Sequence, residues 1–308
     1  MEWKSPELNM PMTLTSDGIG SDSLKANIYL LRDKYNTQVA YENGVLFRRY
    51  EGERESRRGY GFPLSMEPFD LVFAVNMLKD DAAARGERLR FCLLTDDQRD
   101  AIDEAIRKSM KGSDLAGYII DWQCDEDDSD YIYLREKLAL LPGRKFQKKR
   151  NHINHFYKRY PDAIYVPITD ENEGDAIEVT RQWQEAKSAD GFNIEPEELD
   201  RIREAFEKED ELHLMGGILY AGGNPVAMTI AAAINERAVD VIFEKAIYEY
   251  ALDGAFSVIN NCFAASEKAA AFTYINREED MGVEGLRKAK ESYRPEFKLS
   301  KYYGEINA

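Results

Sequence analysis

The chain has few cysteines: Cys92, Cys124 and Cys262, an odd number with no CxxC spacing. That excludes a disulfide framework and a thiolate zinc centre, and reads as reduced thiols in a cytoplasmic protein. Long apolar runs are also lacking, and none approaches the ~18 residues of a membrane helix. The N-terminus MEWKSPELNM has no basic stretch leading into an apolar one, so it does not read as a signal peptide. Positive charge is scarce overall, with a net charge of −16. Taken whole, the molecule repels DNA, RNA and acidic lipid, so any contact with an anion has to be local and DNA is not an expected partner. Signature motifs are missing too. There is no GxxxxGK[ST] loop, no dinucleotide-binding glycine pattern, no GxSxG and no HExxH. These absences argue against an NTPase, a Rossmann dehydrogenase, a serine hydrolase and a zinc enzyme.

What is present is ordinary globular composition, 44% hydrophobic and 32% charged over 308 residues, enough for two domains. Residues 21–35 read as a helix. Asn43-Gly44 between two β-rich runs is a strong hairpin signal. A strand near GYGFPLS, a helix near 67–80, strand ERLRFCLL, helix 95–110 and strand AGYIIDW complete the first half. The stretch YIYLREKLALL reads as a helix, ended by Pro142-Gly143. Further on, AIYVPIT, two helices (172–189 and 196–208) and strands LHLMGGILY, VAMTIAAAI and AVDVIFEKA follow. A helix over 247–268, strand AFTYIN and helix EGLRKAKESY close the series. The order of elements repeats, which predicts an α/β protein with mixed sheets in two tandem units, 1–160 and 161–308.

The first unit is expected to end in a basic helix, 144–160, with seven Lys or Arg and no acid. Phe146, Ile153, Phe156, Tyr157 and Tyr160 form its core stripe. Lys145, Lys148, Lys149 and His152 form another at i, i+3, i+4 and i+7. With Arg144, Arg150, Asn151 and Asn154 they make either a phosphate-binding face or a solvated face balancing nearby acids. His152 and His155 have no carboxylate or cysteine nearby in sequence, so no metal site is expected.

In VDVIFEK, period-2 alternation puts Asp240, Ile242 and Glu244 on one sheet face and Lys245 on the other. Glu244 then serves as a general base, with Asp240 beside it, or is ion-paired to a basic group. Asn260 lies on the helix that follows. Asn276, Arg277, Glu278 and Asp280 cluster at the carboxyl end of a strand, where open α/β sheets take ligands, with Lys288 on the next helix. The alternative reading of that cluster is a helix-capping network.

Three stretches look familiar: Tyr131-Ile-Tyr running on to Leu141-Pro-Gly-Arg-Lys-Phe-Gln-Lys-Lys-Arg-Asn-His-Ile-Asn154; Phe243-Glu-Lys245; and Ile275-Asn-Arg-Glu-Glu-Asp-Met-Gly through Gly285-Leu-Arg-Lys-Ala-Lys290. Together they resemble soluble relatives of the phosphatidylglycerol lysyltransferase C-terminal domain, over about residues 20 to 303. The resemblance implies two tandem GNAT-type acyltransferase units. It also implies aminoacyl transfer from charged tRNA to a lipid head group or a small amine or alcohol. Glu244 would be the base; Lys145, Lys148, Lys149 and Arg150 would hold donor phosphates; Asn276, Arg277 and Asp280 would line the pocket. Two alternatives stand beside it: an acyl-CoA-dependent N-acyltransferase, and a non-catalytic sensor of an anionic metabolite or RNA. The full lysyltransferases carry a membrane half absent here, leaving only peripheral contact with lipid. The pyrophosphate loop of acetyl-CoA users is also missing: after Glu244 the chain reads Lys-Ala-Ile-Tyr-Glu-Tyr-Ala. That counts against acyl-CoA as a cofactor.

Overall fold

The structure, a computed structural model, describes residues 1–10, 18–109, 119–189 and 195–307. Its strands are β1 (Gln38–Glu42), β2 (Val45–Glu51), β3 (Arg58–Tyr60), β4 (Arg90–Leu94), β5 (Ile119–Cys124), β6 (Asp130–Leu134), β7 (Ile164–Pro167), β8 (Leu214–Ala221), β9 (Asn224–Ala233), β10 (Ala238–Ala246), β11 (Tyr274–Asn276), β12 (Phe297–Leu299) and β13 (Tyr302–Asn307). The helices are α1 (Lys25–Leu30), α2 (Leu71–Ala84), α3 (Asp96–Ser109), α4 (Arg135–Leu140), α5 (Gln147–Arg159), α6 (Glu173–Ala189), α7 (Glu198–Glu207), α8 (Glu209–Leu212), α9 (Tyr248–Asp253), α10 (Ala255–Ala265) and α11 (Glu284–Glu291). The start of the expected strand AGYIIDW, residues 116–118, lies outside the described residues.

The chain forms two compact units, each with a share of the C-terminal segment. Unit 1 is Met1–Asp130, Glu279–Arg287 and Lys298–Ala308; unit 2 is Tyr131–Glu278 and Lys288–Phe297. The division expected at residue 160 thus falls inside unit 2, which takes the basic helix. Pairing explains this, because β6 joins β11 edge to edge (Ile275 opposite Tyr133), so the chain from Tyr131 onward belongs with the later strands.

Unit 1 is built on a six-stranded sheet ordered β1-β2-β3-β4-β13-β5. The Asn43-Gly44 turn has φ of 52° and 79°, the left-handed pair that a two-residue hairpin needs. Phe47, Tyr60 and Phe91 of the sheet pack with Leu78 of α2 and Ile102 of α3, all 2% exposed or less. Each such side chain contributes about 1.5–3 kcal/mol on burial.

Unit 2 uses a seven-stranded sheet ordered β12-β6-β11-β10-β9-β8-β7, with β10 and β11 parallel. Three local expectations are corrected here. Tyr131–Leu134 is strand rather than helix, because Tyr131, Ile132 and Tyr133 are all buried in a sheet, where aromatic and β-branched side chains fit. The helix expected over 247–268 is two helices, broken at Gly254, whose φ is +111°. A Cβ there would lie 2.9 Å from the carbonyl oxygen of His152, so only glycine lets the α9–α10 corner meet α5. The third is a register shift in β10 between Val241 and Phe243. Asp240 lies opposite Ala232 and Glu244 opposite Thr229, an odd step along β9. The bulge therefore puts Asp240 and Glu244 on opposite faces of the sheet, against the strict alternation expected.

Candidate active site

Glu244 belongs to the face of unit 2's sheet that α5 and α10 cover, together with Val239 and Val241. Its side chain is 10% exposed and 2.7 Å from Arg277 Nη2, an ion pair. Asn260 of α10, 1% exposed, donates from Nδ2 to the other carboxylate oxygen at 3.4 Å. Of the two roles open for Glu244, the ion-pair partner is thus present in the structure, and it is Arg277. Asp240, fully buried on the far face, is not part of this cluster. Lys245 also points to the far face. It pairs with Glu198 of α7 at 2.8 Å and lies 4.0 Å above the Trp183 ring of α6.

Arg277 follows β11 and is held from several sides. Its backbone N–H donates to Tyr131 O at 3.1 Å, and its carbonyl accepts from Lys290 Nζ. Next to it, Glu278 takes a left-handed φ of 55°, while its N–H donates to Asn276 Oδ1 at 2.7 Å. A non-glycine residue held there stores about 1–3 kcal/mol of strain, which the surrounding contacts have to hold. The Arg277 guanidinium stands 5.0 Å from the Tyr293 ring and 5.8 Å from the Tyr133 ring. Tyr133 donates its hydroxyl to Lys290 O at 2.8 Å, and Tyr293 its own to Ser257 Oγ at 3.3 Å. Burial alone disfavours the Arg277 charge, but Glu244 and the tyrosines outweigh it, and its pKa is raised above the ordinary value. Two buried polar atoms of the cluster have no partner among the described residues: Arg277 Nη1 and Asn260 Oδ1.

The basic helix divides its side chains between inside and outside. Arg144, Lys145, Lys148, Asn151 and Asn154 are exposed. Arg150 caps the preceding turn, donating to Gly143 O at 2.7 Å and to Leu141 O. Lys149 turns inward and is half-buried, its Nζ 3.6 Å from the Tyr293 ring centroid. Burial, then repulsion from Arg277 and Lys148, push its pKa down to about 8 against a weaker pull from Glu244. His152 is shifted down as well, by burial and then by Lys149. No group of three or more His, Cys, Asp or Glu suited to a metal occurs among the described residues.

Glu244, Asn260, Arg277 and Lys149 therefore come together in unit 2, and Asn276 and Glu278 build the turn that carries Arg277. Lys288 is exposed. Asp280 belongs to unit 1, where it accepts from Arg287 Nε at 2.9 Å and from Gly282 N at 2.9 Å. Sequence reasoning missed Tyr293, Ser257 and Tyr133 as site residues. For Tyr133 a signal existed in the Tyr131-Ile-Tyr string. Tyr293 and Ser257 carry none, since a lone aromatic beyond a helix and a lone serine within one are common.

No helix among the described residues is long and apolar enough to cross a membrane. Residues 16–304 match the family described as "Phosphatidylglycerol lysyltransferase, C-terminal". A conserved protein of unknown function from Bacteroides thetaiotaomicron, solved by crystallography, is 32% identical, with a TM-score of 0.83 and 99% of each chain covered. L-PGS from Bacillus licheniformis is 14% identical, with a TM-score of 0.61, covering 94% of this chain and 87% of that one. An uncharacterized protein of Mycoplasmoides gallisepticum is 23% identical over 209 residues; the match takes in 63% of this chain and 64% of that relative's length. The fold is α/β, with two mixed sheets in two compact units. With nearly its whole length matched, the chain belongs to the phosphatidylglycerol lysyltransferase C-terminal domain family.

Proposed function

We propose that this protein is an acyltransferase that moves an aminoacyl group from charged tRNA to a hydroxyl or amine, the acceptor being a lipid head group or a small molecule. The observation that carries the reading is the Arg277 guanidinium. It is held by Glu244 at 2.7 Å and flanked by two tyrosine rings, and its buried Nη1 has no acceptor among the described residues. A fixed donor of this kind suits the oxyanion that develops when an ester carbonyl is attacked, and such a donor is worth about 2.7–4 kcal/mol of barrier. Glu244 and Asn260 act here as positioning residues. Arg144, Lys145 and Lys148, exposed on the basic segment, suit the phosphates of an RNA donor. The family supports the same direction, since its description is that of the C-terminal part of a phosphatidylglycerol lysyltransferase.

The test incubates the protein with a mixed charged-tRNA pool and a total lipid extract, followed by mass spectrometry. A new aminoacylated product that Arg277→Leu no longer makes is the expected result. A product that needs acetyl-CoA and no RNA would replace this reading with the acyl-CoA one. Absence of product with either donor would reduce the protein to a binding module.

A further inference from the structure

We propose that Lys149 is the proton acceptor of the transfer, the group that takes the proton from the attacking hydroxyl or amine; this rests on the acyl-transfer reading and assigns a role within it. Lys149 differs from the other cations of its segment. Lys145 and Lys148 face solvent and Arg150 is tied to backbone carbonyls, whereas Lys149 is half-buried against Tyr293. Among the described residues no carboxylate lies within ion-pair distance of its Nζ, and its one close partner is a ring face at 3.6 Å.

The groups facing it come from several elements. Lys148 and His152 lie on its own helix; Arg277 from the β11 turn and Glu244 from β10 act on it as charges; Tyr293 lies beneath it. Glu244 is already engaged, one oxygen by Arg277 and the other by Asn260. Arg277 stands over the same Tyr293 ring at 5.0 Å. Two cations on one ring beside a single committed carboxylate favour the neutral amine, and burial adds to this. A neutral amine near pH 8 has the lone pair that general base catalysis requires.

The step balances within the site. The Lys149 amine takes the proton from the acceptor O–H or N–H as that oxygen or nitrogen bonds to the ester carbon. Arg277 Nη1 holds the developing oxyanion. The ester C–O bond to the ribose then breaks, and the Lys149 ammonium returns its proton to the departing ribose oxygen.

The experiment has two arms. In the first, lysines are reductively methylated with 13C-formaldehyde and titrated by NMR, with Lys149→Arg identifying the resonance and circular dichroism confirming its fold. The Lys149 midpoint is expected near 8 and those of exposed lysines near the ordinary 10.4. In the second arm, the charged-tRNA and lipid assay is run on wild type and Lys149→Arg, which keeps the charge but has no accessible lone pair. A rate loss of about 100-fold or more, with RNA affinity within threefold, is expected. A midpoint above about 10, or an Arg variant within threefold of wild type, overturns the assignment while leaving acyl transfer standing. If wild type forms no aminoacylated product at all, the acyl-transfer reading falls and takes the catalytic role with it, whatever the midpoint.

Discussion

Two lysines, Lys301 buried and Lys149 half-buried, respond in opposite ways to leaving water. Lys301 of unit 1 is 2% exposed at its side chain and sits among carboxylates: Asp130 at 3.0 Å and Asp22, with Ser21 also bonded to Asp130. Burial alone would lower its pKa, but Asp130 and Asp22 outweigh it and the pKa is raised. Lys149 of unit 2 has a tyrosine ring and a neighbouring guanidinium where Lys301 has acids, and its pKa falls to about 8. Two arginines of unit 1 follow the first pattern. Arg54 and Arg57 are ringed by Asp125, Asp127, Asp128 and Glu279. A buried charge matched by its own protein is architecture. A cluster with an excess cation, an unpartnered donor and an unpartnered acceptor is built for something else.

The largest effect that can break this contrast is expected at Lys301. Lys301→Met leaves Asp130 buried without its cation and should cost about 3–5 kcal/mol, read as a lower urea midpoint. A loss below about 1 kcal/mol would mean that the unit 1 network is ornamental. Next comes Glu244→Gln. It keeps the shape of the side chain but removes the charge that holds Arg277, so a loss of about 2 kcal/mol is expected. It also removes the one attraction that raises the Lys149 pKa, so the Lys149 midpoint should move below 8. An upward movement would contradict the electrostatic account.

Lys149→Met should have the opposite sign to Lys301→Met. The folded pKa of Lys149 lies below its unfolded value, so the unfolded state binds more protons between about 8 and the ordinary lysine value near 10.4. The penalty of burying the amine is complete below pH 8 and is relieved as pH rises through that window. The variant should therefore be about 1 kcal/mol more stable at pH 7, the partial exposure of the group being allowed for, and indistinguishable at pH 10.5. Thermal unfolding at the two pH values checks it. The smallest stability effect belongs to Lys145→Glu with Lys148→Glu, within about 0.5 kcal/mol because both are exposed. The same pair should reduce the salt dependence of RNA binding by about two units of slope.

Much of this was legible in the sequence, and the exceptions have physical causes. Asn43-Gly44 placed its hairpin, and Pro142-Gly143 placed the start of the basic helix, since both are local conformational demands. The family strings brought Glu244, Arg277 and Lys149 into view. What failed was non-local. Strand β13 lies between β4 and β5, and no nearby residue announces that partnership. The bulge in β10 carries no glycine and no polar marker, so alternation alone put Asp240 beside Glu244 when the sheet puts them on opposite faces. The basic stripe read as uniform because helical spacing says which residues are neighbours, not which side a sheet covers. Tyr293, which sets Lys149 apart from Lys145 and Lys148, comes from a segment far along the chain.

The central claim is that the inner and outer lysines of one helical segment divide the work, with Lys149 serving the chemistry and Lys145 and Lys148 the hold on the donor. Steady-state kinetics of aminoacyl transfer against charged-tRNA concentration tests it directly. The account predicts that Lys149→Arg lowers kcat with KM nearly unchanged, and that Lys145→Glu raises KM with kcat nearly unchanged. Both variants shifting the same parameter would contradict it.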